Sequence, residues 1–127
     1  MQYIRSKLFT VLLVIWTISL GLVTPIFMVL GAGSLVRGYS RFWVRGIMLG
    51  LNTIVGLKYR IVGKLPTDGR PRLYVANHQS MWETLAFAYL IPNVSFVTKK
   101  ELRRVPIFGW YMANYPMILI DRGAGKA

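Results

Sequence analysis

A long uncharged segment near the N-terminus sets the first constraint on the fold. None of the 29 residues from Leu8 to Val36 carries a charge. A continuous helix of that length would extend ~43 Å, against ~30 Å for the hydrocarbon core of a bilayer. Pro25 interrupts the segment, and cations flank it on both sides: Arg5, Lys7, Arg37, Arg41 and Arg45. Because cationic residues collect on the cytoplasmic side of a membrane, we predict a re-entrant hairpin with both ends on that side.

A secretory signal peptide is the alternative for this segment. Arg5 and Lys7 would form its basic start, and the small residues 32–34 would lie near the cleavage site. However, the apolar run is longer than the apolar part of a typical signal peptide, and Pro25 lies inside it. We therefore prefer a segment that stays associated with the membrane.

The stretch from Tyr39 to Leu57 mixes cations with apolar residues. Arg41, Arg45 and Asn52 lie at helical spacing on one side, and apolar residues cover most of the rest. This pattern is typical of an amphipathic helix in the membrane interface, and an ordinary helix packed on a protein core is the alternative. We therefore assign residues 1–56 to a membrane-associated helical hairpin followed by an interfacial helix.

The composition narrows the class of partner. Sixteen Lys and Arg face four Asp and Glu, which gives a formal net charge of +12. Anionic lipid and nucleic acid both attract such a chain, but the long apolar segment favours a lipid surface. Since no nucleic-acid recognition motif is present, we expect no nucleic-acid partner. The chain has no cysteine and a single histidine, so we also expect no disulfide and no metal site.

After Gly56 the hydrophobic pattern becomes that of an α/β domain. Strands are predicted in four segments: 57–62, 72–76, 94–98 and 117–120. A helix is predicted from residue 79 or 80 to Leu90, where Pro92 ends it, and residues 99–114 are predicted to be helical or irregular. Because strands alternate with helices, the sequence predicts a largely parallel sheet with flanking helices behind the N-terminal helical segment.

The only histidine, His78, lies between the predicted strand 72–76 and the next helix. Glu83, one of only four carboxylates, follows it five residues later. A carboxylate can orient an imidazole ring and stabilise its charged form, and histidine is the side chain best suited to act as a base near neutral pH. If His78 precedes the helix, its ring can fold back over the first turn toward Glu83. The pair is a candidate general base with its partner, and a structural histidine near a helix start is the alternative.

Cations also follow two of the predicted strands. Four of them lie within six residues after the third strand: Lys99, Lys100, Arg103 and Arg104. Such a run is also typical of a solvated surface. Arg122 follows the fourth strand directly after Asp121, and an arginine at a strand end can hold a phosphate through two hydrogen bonds.

Taken together, these motifs resemble those of a known enzyme family. Asn-His-Gln-Ser-x-x-Glu-Thr at 77–84, Lys-Lys-Glu-Leu-x-x-x-Pro-x-x-Gly at 99–109 and Ile-Leu-Ile-Asp-Arg at 118–122 follow one another behind an apolar N-terminus. In this respect the chain is similar to the lysophosphatidate acyltransferases (1-acylglycerol-3-phosphate O-acyltransferases). The resemblance implies transfer of a fatty acyl group from a thioester to the sn-2 hydroxyl of lysophosphatidate, which gives phosphatidate in phospholipid biosynthesis.

The resemblance also implies a role for each site residue. His78 matches the general base that takes the proton of the acceptor hydroxyl, and Glu83 matches the carboxylate that orients it. Lys99 or Lys100 matches a basic residue near the acceptor phosphate. Arg122 matches an arginine that binds the phosphate or the glycerol backbone. An acyl chain also needs an apolar route, for which the N-terminal helices are candidates.

The implied partners are a phospholipid membrane, lysophosphatidate and an acyl donor, which is either acyl-CoA or acyl-carrier protein. No metal or other cofactor is implied. The expected location is the cytoplasmic face of a membrane, such as the bacterial inner membrane.

Two departures from the family pattern affect these expectations. The usual aspartate is replaced here by Glu83, which is one methylene longer, so we expect His78 to lie slightly farther from its partner. The family's Phe-Pro-Glu-Gly-Thr-Arg motif, which would follow the Asp-Arg strand by a few tens of residues, is absent. We therefore expect residues 57–127 to be the N-terminal part of a truncated glycerolipid acyltransferase domain, with a partial sheet.

Two other functions compete with acyl transfer. A non-catalytic membrane-binding fragment of the same fold would keep the basic and apolar surfaces without turnover. A hydrolase would use Ser80 as nucleophile with His78, but two residues so close in sequence at a strand-to-helix junction are poorly disposed for proton transfer. Ser80 is better explained as the N-cap of the following helix.

Overall fold

The computed structural model describes residues 1–30, 33–66, 68–105, 109, 112, 115, 117–121 and 123. The regular elements in these ranges are α1 (Gln2–Gly21), α2 (Thr24–Val29), α3 (Gly33–Gly50), a π-helical turn (Leu51–Val55), α4 (Met81–Leu90), β1 (Val97–Lys99), a 3₁₀ helix (Lys100–Arg104) and β2 (Ile118–Ile120). The chain therefore has a helical N-terminal half and a small sheet near its C-terminus, which is consistent with the predicted α/β fold and its partial sheet.

The helices α1 and α3 pack against each other in opposite directions. The indole N–H of Trp16 donates to the carbonyl oxygen of Trp43 at 3.1 Å. The indole N–H of Trp43 donates to the hydroxyl of Thr17 at 3.2 Å. Nearer the connection between the helices, the Tyr39 hydroxyl donates to the carbonyl oxygen of Leu20 at 2.6 Å. The structure therefore forms a helical hairpin, but its second arm is α3, which includes much of the stretch that the sequence analysis assigned to a separate interfacial helix. The re-entrant arrangement in a membrane stays a prediction.

The connection between α1 and α3 follows from residues that cannot extend α1. The helix ends at Gly21, and the short α2 begins three residues later at Thr24, with Pro25 in its first turn. A proline is tolerated there because the N–H groups of the first helical turn have no partner within the helix. The break therefore lies just before Pro25, close to the predicted bend.

A helical stretch from Gln2 to Phe27, which includes the break, is long and apolar enough to cross a membrane. An 18-residue part of this stretch has a mean hydropathy of 2.1, and only 11% of that part is buried inside the protein. Large apolar side chains such as Leu8, Val11 and Ile15 remain exposed along α1. Because this surface is not used for internal packing, it is compatible with membrane association.

The core of the helical half lies along one side of α3, which contacts α1, α2 and α4. Val36, Val44, Ile47 and Met48 of α3 are buried, together with Ala86 of α4. One face of α3 therefore packs on a protein core, which agrees with the alternative prediction of an ordinary core-packed helix. The contact of its other face with a membrane interface stays a prediction.

The sheet consists of β1 and β2, which pair in parallel. Val97 lies opposite Ile118, and Lys99 lies opposite Ile120. Two of the four predicted strands are thus present: the fourth almost as predicted, and the third shifted toward its C-terminal end. The parallel pairing is the arrangement that the alternation of strands and helices predicts.

The strands predicted at 57–62 and 72–76 are wrong, because both segments have irregular backbone. An alternating pattern shows which side chains could share a face, but a strand also requires a hydrogen-bonded neighbour. Outside regular elements, the described backbone–backbone hydrogen bonds include none that involves residues 58–76. These segments therefore lack the partner that would make them strands.

Candidate active site

The start of α4 is held by a reciprocal set of hydrogen bonds between Ser80 and Glu83. Ser80 is the N-cap, and its hydroxyl oxygen accepts from the backbone N–H of Trp82 at 3.2 Å. In return, Oε2 of Glu83 accepts from the backbone N–H of Ser80 at 2.9 Å and from its hydroxyl at 3.0 Å. Oε1 of Glu83 accepts from the backbone N–H of Gln79 at 3.2 Å. This capping box fixes the Glu83 carboxylate in one position.

His78 lies three residues before α4, and its ring folds back toward the same carboxylate. Nδ1 of His78 is 3.8 Å from Oε2 of Glu83, and the His78 side chain is 65% exposed while that of Glu83 is 21% exposed. The separation is longer than a hydrogen bond but short enough for an ion pair when the imidazole is protonated. The predicted approach of the two side chains is therefore confirmed, and their catalytic roles remain a prediction.

The electrostatics keep Glu83 charged beside the imidazole. The pKa of the Glu83 carboxyl is held below its usual value, first of all by a hydrogen bond from its own backbone N–H. Smaller contributions come from the hydroxyl and N–H of Ser80 and from the N–H of Gln79, while desolvation opposes them. A carboxylate beside Nδ1 favours a proton on that nitrogen, which leaves Nε2 of His78 as a proton acceptor. The arrangement can thus serve as a general base whose ring is oriented by Glu83.

The two candidate phosphate-binding lysines have different surroundings. The Lys100 ammonium forms an ion pair with the Asp121 carboxylate, which also accepts the backbone N–H of Gly123 at 2.9 Å. Lys99, the last residue of β1, is exposed, and its ammonium group makes no hydrogen bond or ion pair with any residue of the described ranges. Since Lys100 links the ends of the two strands, Lys99 is the better candidate for an external phosphate.

The structure does not join these residues into a single contact network. No hydrogen bond or ion pair in the described part of the chain connects His78 or Glu83 with Lys99 or Lys100. Arg122 lies outside the described residues. No group of three or more potential metal ligands occurs in the ranges that the structure covers, and the expected absence of a metal stays a prediction.

Sequence reasoning missed two features of this region. One is the second role of Glu83 as the partner of the N-cap, for which the spacing Ser80-x-x-Glu83 was the available signal. The other is an apolar cavity of 220 Å³ beside Glu83, lined in part by Tyr59, Trp82 and Phe87. The rings of Tyr59 and Trp82 meet edge to face with centroids 5.6 Å apart. No local pattern predicts this cavity, because its walls come from segments that are distant in sequence.

Comparison with known proteins identifies the class. The acyltransferase family model matches residues 57–127, and the chain belongs to this family. It is 31% identical over 129 aligned residues to the 1-acyl-sn-glycerol-3-phosphate acyltransferase of Pseudomonas aeruginosa, an alignment that covers 98% of this chain and 49% of that protein. It is also 33% identical over 73 residues to the enzyme of that name from Saccharomyces cerevisiae, covering 57% of this chain and 24% of that protein.

A third relative is named for a different acyl acceptor. The lyso-ornithine lipid O-acyltransferase of Brucella abortus is 35% identical over 69 residues, which cover 54% of this chain and 25% of that protein. The chain therefore spans about half the length, or less, of these curated relatives. No solved structure matches the chain significantly.

Proposed function

We propose that this protein transfers a fatty acyl group from an acyl thioester to the sn-2 hydroxyl of 1-acyl-glycerol-3-phosphate, giving phosphatidate in phospholipid biosynthesis. The observation that carries the proposal is the 3.8 Å distance from His78 Nδ1 to Oε2 of Glu83, whose carboxylate is held in place by the capping box. Membership of the acyltransferase family and the names of the relatives support it.

In this mechanism the imidazole moves one proton in each direction. Nε2 of His78 takes the proton of the acceptor hydroxyl while the hydroxyl oxygen attacks the carbonyl carbon of the thioester. The bond between that carbon and sulfur then breaks, and the departing thiolate takes the proton back from the imidazolium. Glu83 stabilises the imidazolium between the two transfers and is a positioning residue, because it acts through His78.

The substrate headgroup and the membrane complete the proposal. Lys99 and Arg122 bind the acceptor phosphate, because a dianionic headgroup needs cations near it. The hairpin of α1 and α3 associates with the bilayer on its cytoplasmic face, where lysophosphatidate and the donor meet. The donor is acyl-CoA or acyl-carrier protein, and nucleic acid is not a partner.

An acyl-transfer assay with two acceptors and two donors tests this function. The purified chain in detergent micelles would receive lysophosphatidate or lyso-ornithine lipid, with labelled acyl-CoA or acyl-carrier protein as donor. A second protein would carry residues 1–127 in place of the matched half of the Pseudomonas aeruginosa relative. We expect labelled phosphatidate to be the preferred product of at least the second protein.

Two outcomes would contradict the proposal. Faster acylation of lyso-ornithine lipid than of lysophosphatidate would assign the other acceptor. If both proteins fold and bind vesicles without acylating either acceptor, the non-catalytic membrane-binding function replaces acyl transfer.

A further inference from the structure

A second, larger cavity shares Tyr59 with the cavity beside Glu83, but neither His78 nor Glu83 lines it. It has a volume of 510 Å³, and its walls come from the second half of α3, the π-helical turn, residues 57–59 and Tyr89 near the end of α4. Two cations, Arg45 and Lys58, line it together with apolar side chains such as Met48 and Leu57. The cavity therefore combines positive charge with an apolar floor.

The backbone explains how the two cations come to share one cavity. After α3 the helix widens into the π-helical turn Leu51–Val55, and Gly56 ends it in the left-handed conformation with φ 82°. The backbone N–H of Leu57 then donates to the carbonyl oxygen of Leu51 at 3.0 Å. This reversal brings Lys58 back beside the helix that carries Arg45. Single π-helical turns often occur at functional sites.

Neither cation has a partner within the protein as far as the structure describes it. The Arg45 guanidinium and the Lys58 ammonium make no hydrogen bond or ion pair with a described residue, and both residues are exposed. Arg41 lies one helical turn before Arg45, and like charges at this spacing repel each other. Two of the four carboxylates pair with other cations, Asp68 with Arg72 and Asp121 with Lys100. The charge of the cavity is thus available to an external anion.

We infer that this cavity binds the phosphate-bearing headgroup of an anionic membrane phospholipid, at a site separate from that of the acyl acceptor. Arg45 and Lys58 supply charge-assisted hydrogen bonds to the phosphate. Leu49 and Leu57, which are 63% and 40% exposed, contact the first part of the acyl chains. A free phosphate would use the cations but not these apolar side chains. Tyr89 also lines the cavity, and a tyrosine suits the level of the lipid headgroups.

The inference does not depend on acyl transfer and is tested by binding. The purified full chain in neutral maltoside micelles would be titrated calorimetrically with dihexanoyl phosphatidylglycerol, with dihexanoyl phosphatidylcholine and with sn-glycerol 3-phosphate. We expect one molecule of phosphatidylglycerol to bind saturably. The dissociation constants of the other two probes should be higher by about tenfold or more.

A pair of charge-matched variants locates the site. Arg45→Gln/Lys58→Gln should weaken phosphatidylglycerol binding by about tenfold or more, since it removes both charge-assisted contacts. The control Arg5→Gln/Lys7→Gln removes two cations from the first turns of α1 and should leave that binding within about twofold. Lys99→Gln should also leave it unchanged, because it alters the proposed acceptor site instead. If the Arg45→Gln/Lys58→Gln variant fails to fold, Lys58→Gln alone provides the test, because Lys58 lies outside the helices.

Several results would overturn the inference. Equal weakening by the two double variants would mean that the lipid responds only to net charge. Equal affinity for phosphatidylcholine would remove the role of the cations, and equal affinity for sn-glycerol 3-phosphate would make this a site for a free anion. Loss of binding in Lys99→Gln would place the lipid in the acceptor site.

Discussion

Gly46 lies so close to Trp16 that a Cβ at position 46 would be 2.6 Å from Cε2 of the Trp16 ring. The same relation recurs one turn later, where a Cβ on Gly50 would be 3.0 Å from Cε2 of Phe9. Two glycines on one face of α3 therefore let the aromatic side chains of α1 reach its backbone. This close approach also allows the indole N–H of Trp16 to reach the carbonyl oxygen of Trp43.

Alanine at position 46 should destabilise the helical hairpin. Gly46→Ala forces its new methyl group into the Trp16 ring, and overpacking of this kind costs ~1–3 kcal/mol. Gly38→Ala is the matched control because nothing lies within 4 Å of its Cβ position, so it should gain the roughly 0.5–1 kcal/mol of replacing a helical glycine. Thermal unfolding in detergent would show opposite shifts. Equal stabilisation by both variants would contradict the packing.

Removal of the imidazole should abolish most turnover without unfolding the protein. His78→Ala takes away the proposed base, and general-base catalysis typically contributes roughly 10²–10⁴ in rate. The side chain is 65% exposed, so its loss leaves no cavity in the core. Acyl-transfer rates and circular dichroism, measured on the chain or on the protein joined to the Pseudomonas aeruginosa half, provide the check. Near wild-type turnover would remove His78 from the mechanism.

Substitution of the N-cap distinguishes a structural serine from a nucleophile. Ser80→Ala removes the hydroxyl that accepts from Trp82 N–H, and the loss of an N-cap costs ~1 kcal/mol of stability. We expect a lower melting temperature with most turnover retained. Complete loss of activity in a folded Ser80→Ala protein would instead favour the hydrolase alternative.

Acid should weaken the capping box through Glu83. The pKa of this carboxyl is lower in the folded protein than its ordinary value, mainly through its own backbone N–H. Its contribution to stability is therefore complete above the ordinary glutamate pKa of about 4.3 and is lost as the pH falls through the lower folded value. Unfolding measured between neutral pH and about pH 3 should show a smaller acid dependence for Glu83→Gln than for the wild type. Identical pH profiles would contradict this assignment.

The two lysines at the end of β1 should respond differently to loss of charge. Lys99→Gln removes a cation with no partner among the described residues, so the KM for lysophosphatidate should rise several-fold while the KM for the donor stays nearly constant. Lys100→Gln breaks the ion pair with Asp121 and should lower the melting temperature more than it changes either KM. Kinetics with both substrates would test the contrast. The reverse pattern would move the phosphate to Lys100.

The features that sequence alone predicted are those held by nearby residues. The helix from Met81 to Leu90 and its Ser80 cap lie where the pattern indicated, since capping hydrogen bonds join residues two or three positions apart. The approach of His78 to Glu83 was predictable for the same reason. The interruption of the apolar segment near Pro25 also followed from the sequence, because proline is poorly tolerated inside a helix. The use of α3 as the second arm of the hairpin did not.

Other features depend on partners that local patterns do not specify. The alternating pattern of residues 57–62 could not show that this segment has no hydrogen-bonded neighbour. The strand predicted at 117–120 is present as β2 because β1 lies beside it. The distinction between Lys99 and Lys100 came only from Asp121, which is 21 residues away from Lys100 in the chain.

The sequence by itself thus determined the class of the protein, the location of its helices and the residues that could act as a base. Only the tertiary structure decided which cation is paired, where the cavities lie and how Trp16 meets Gly46. The physical reason is that helix caps and periodicity involve interactions over a few residues. The Lys100–Asp121 ion pair, the strand pairing and the cavities instead require segments far apart in sequence to meet.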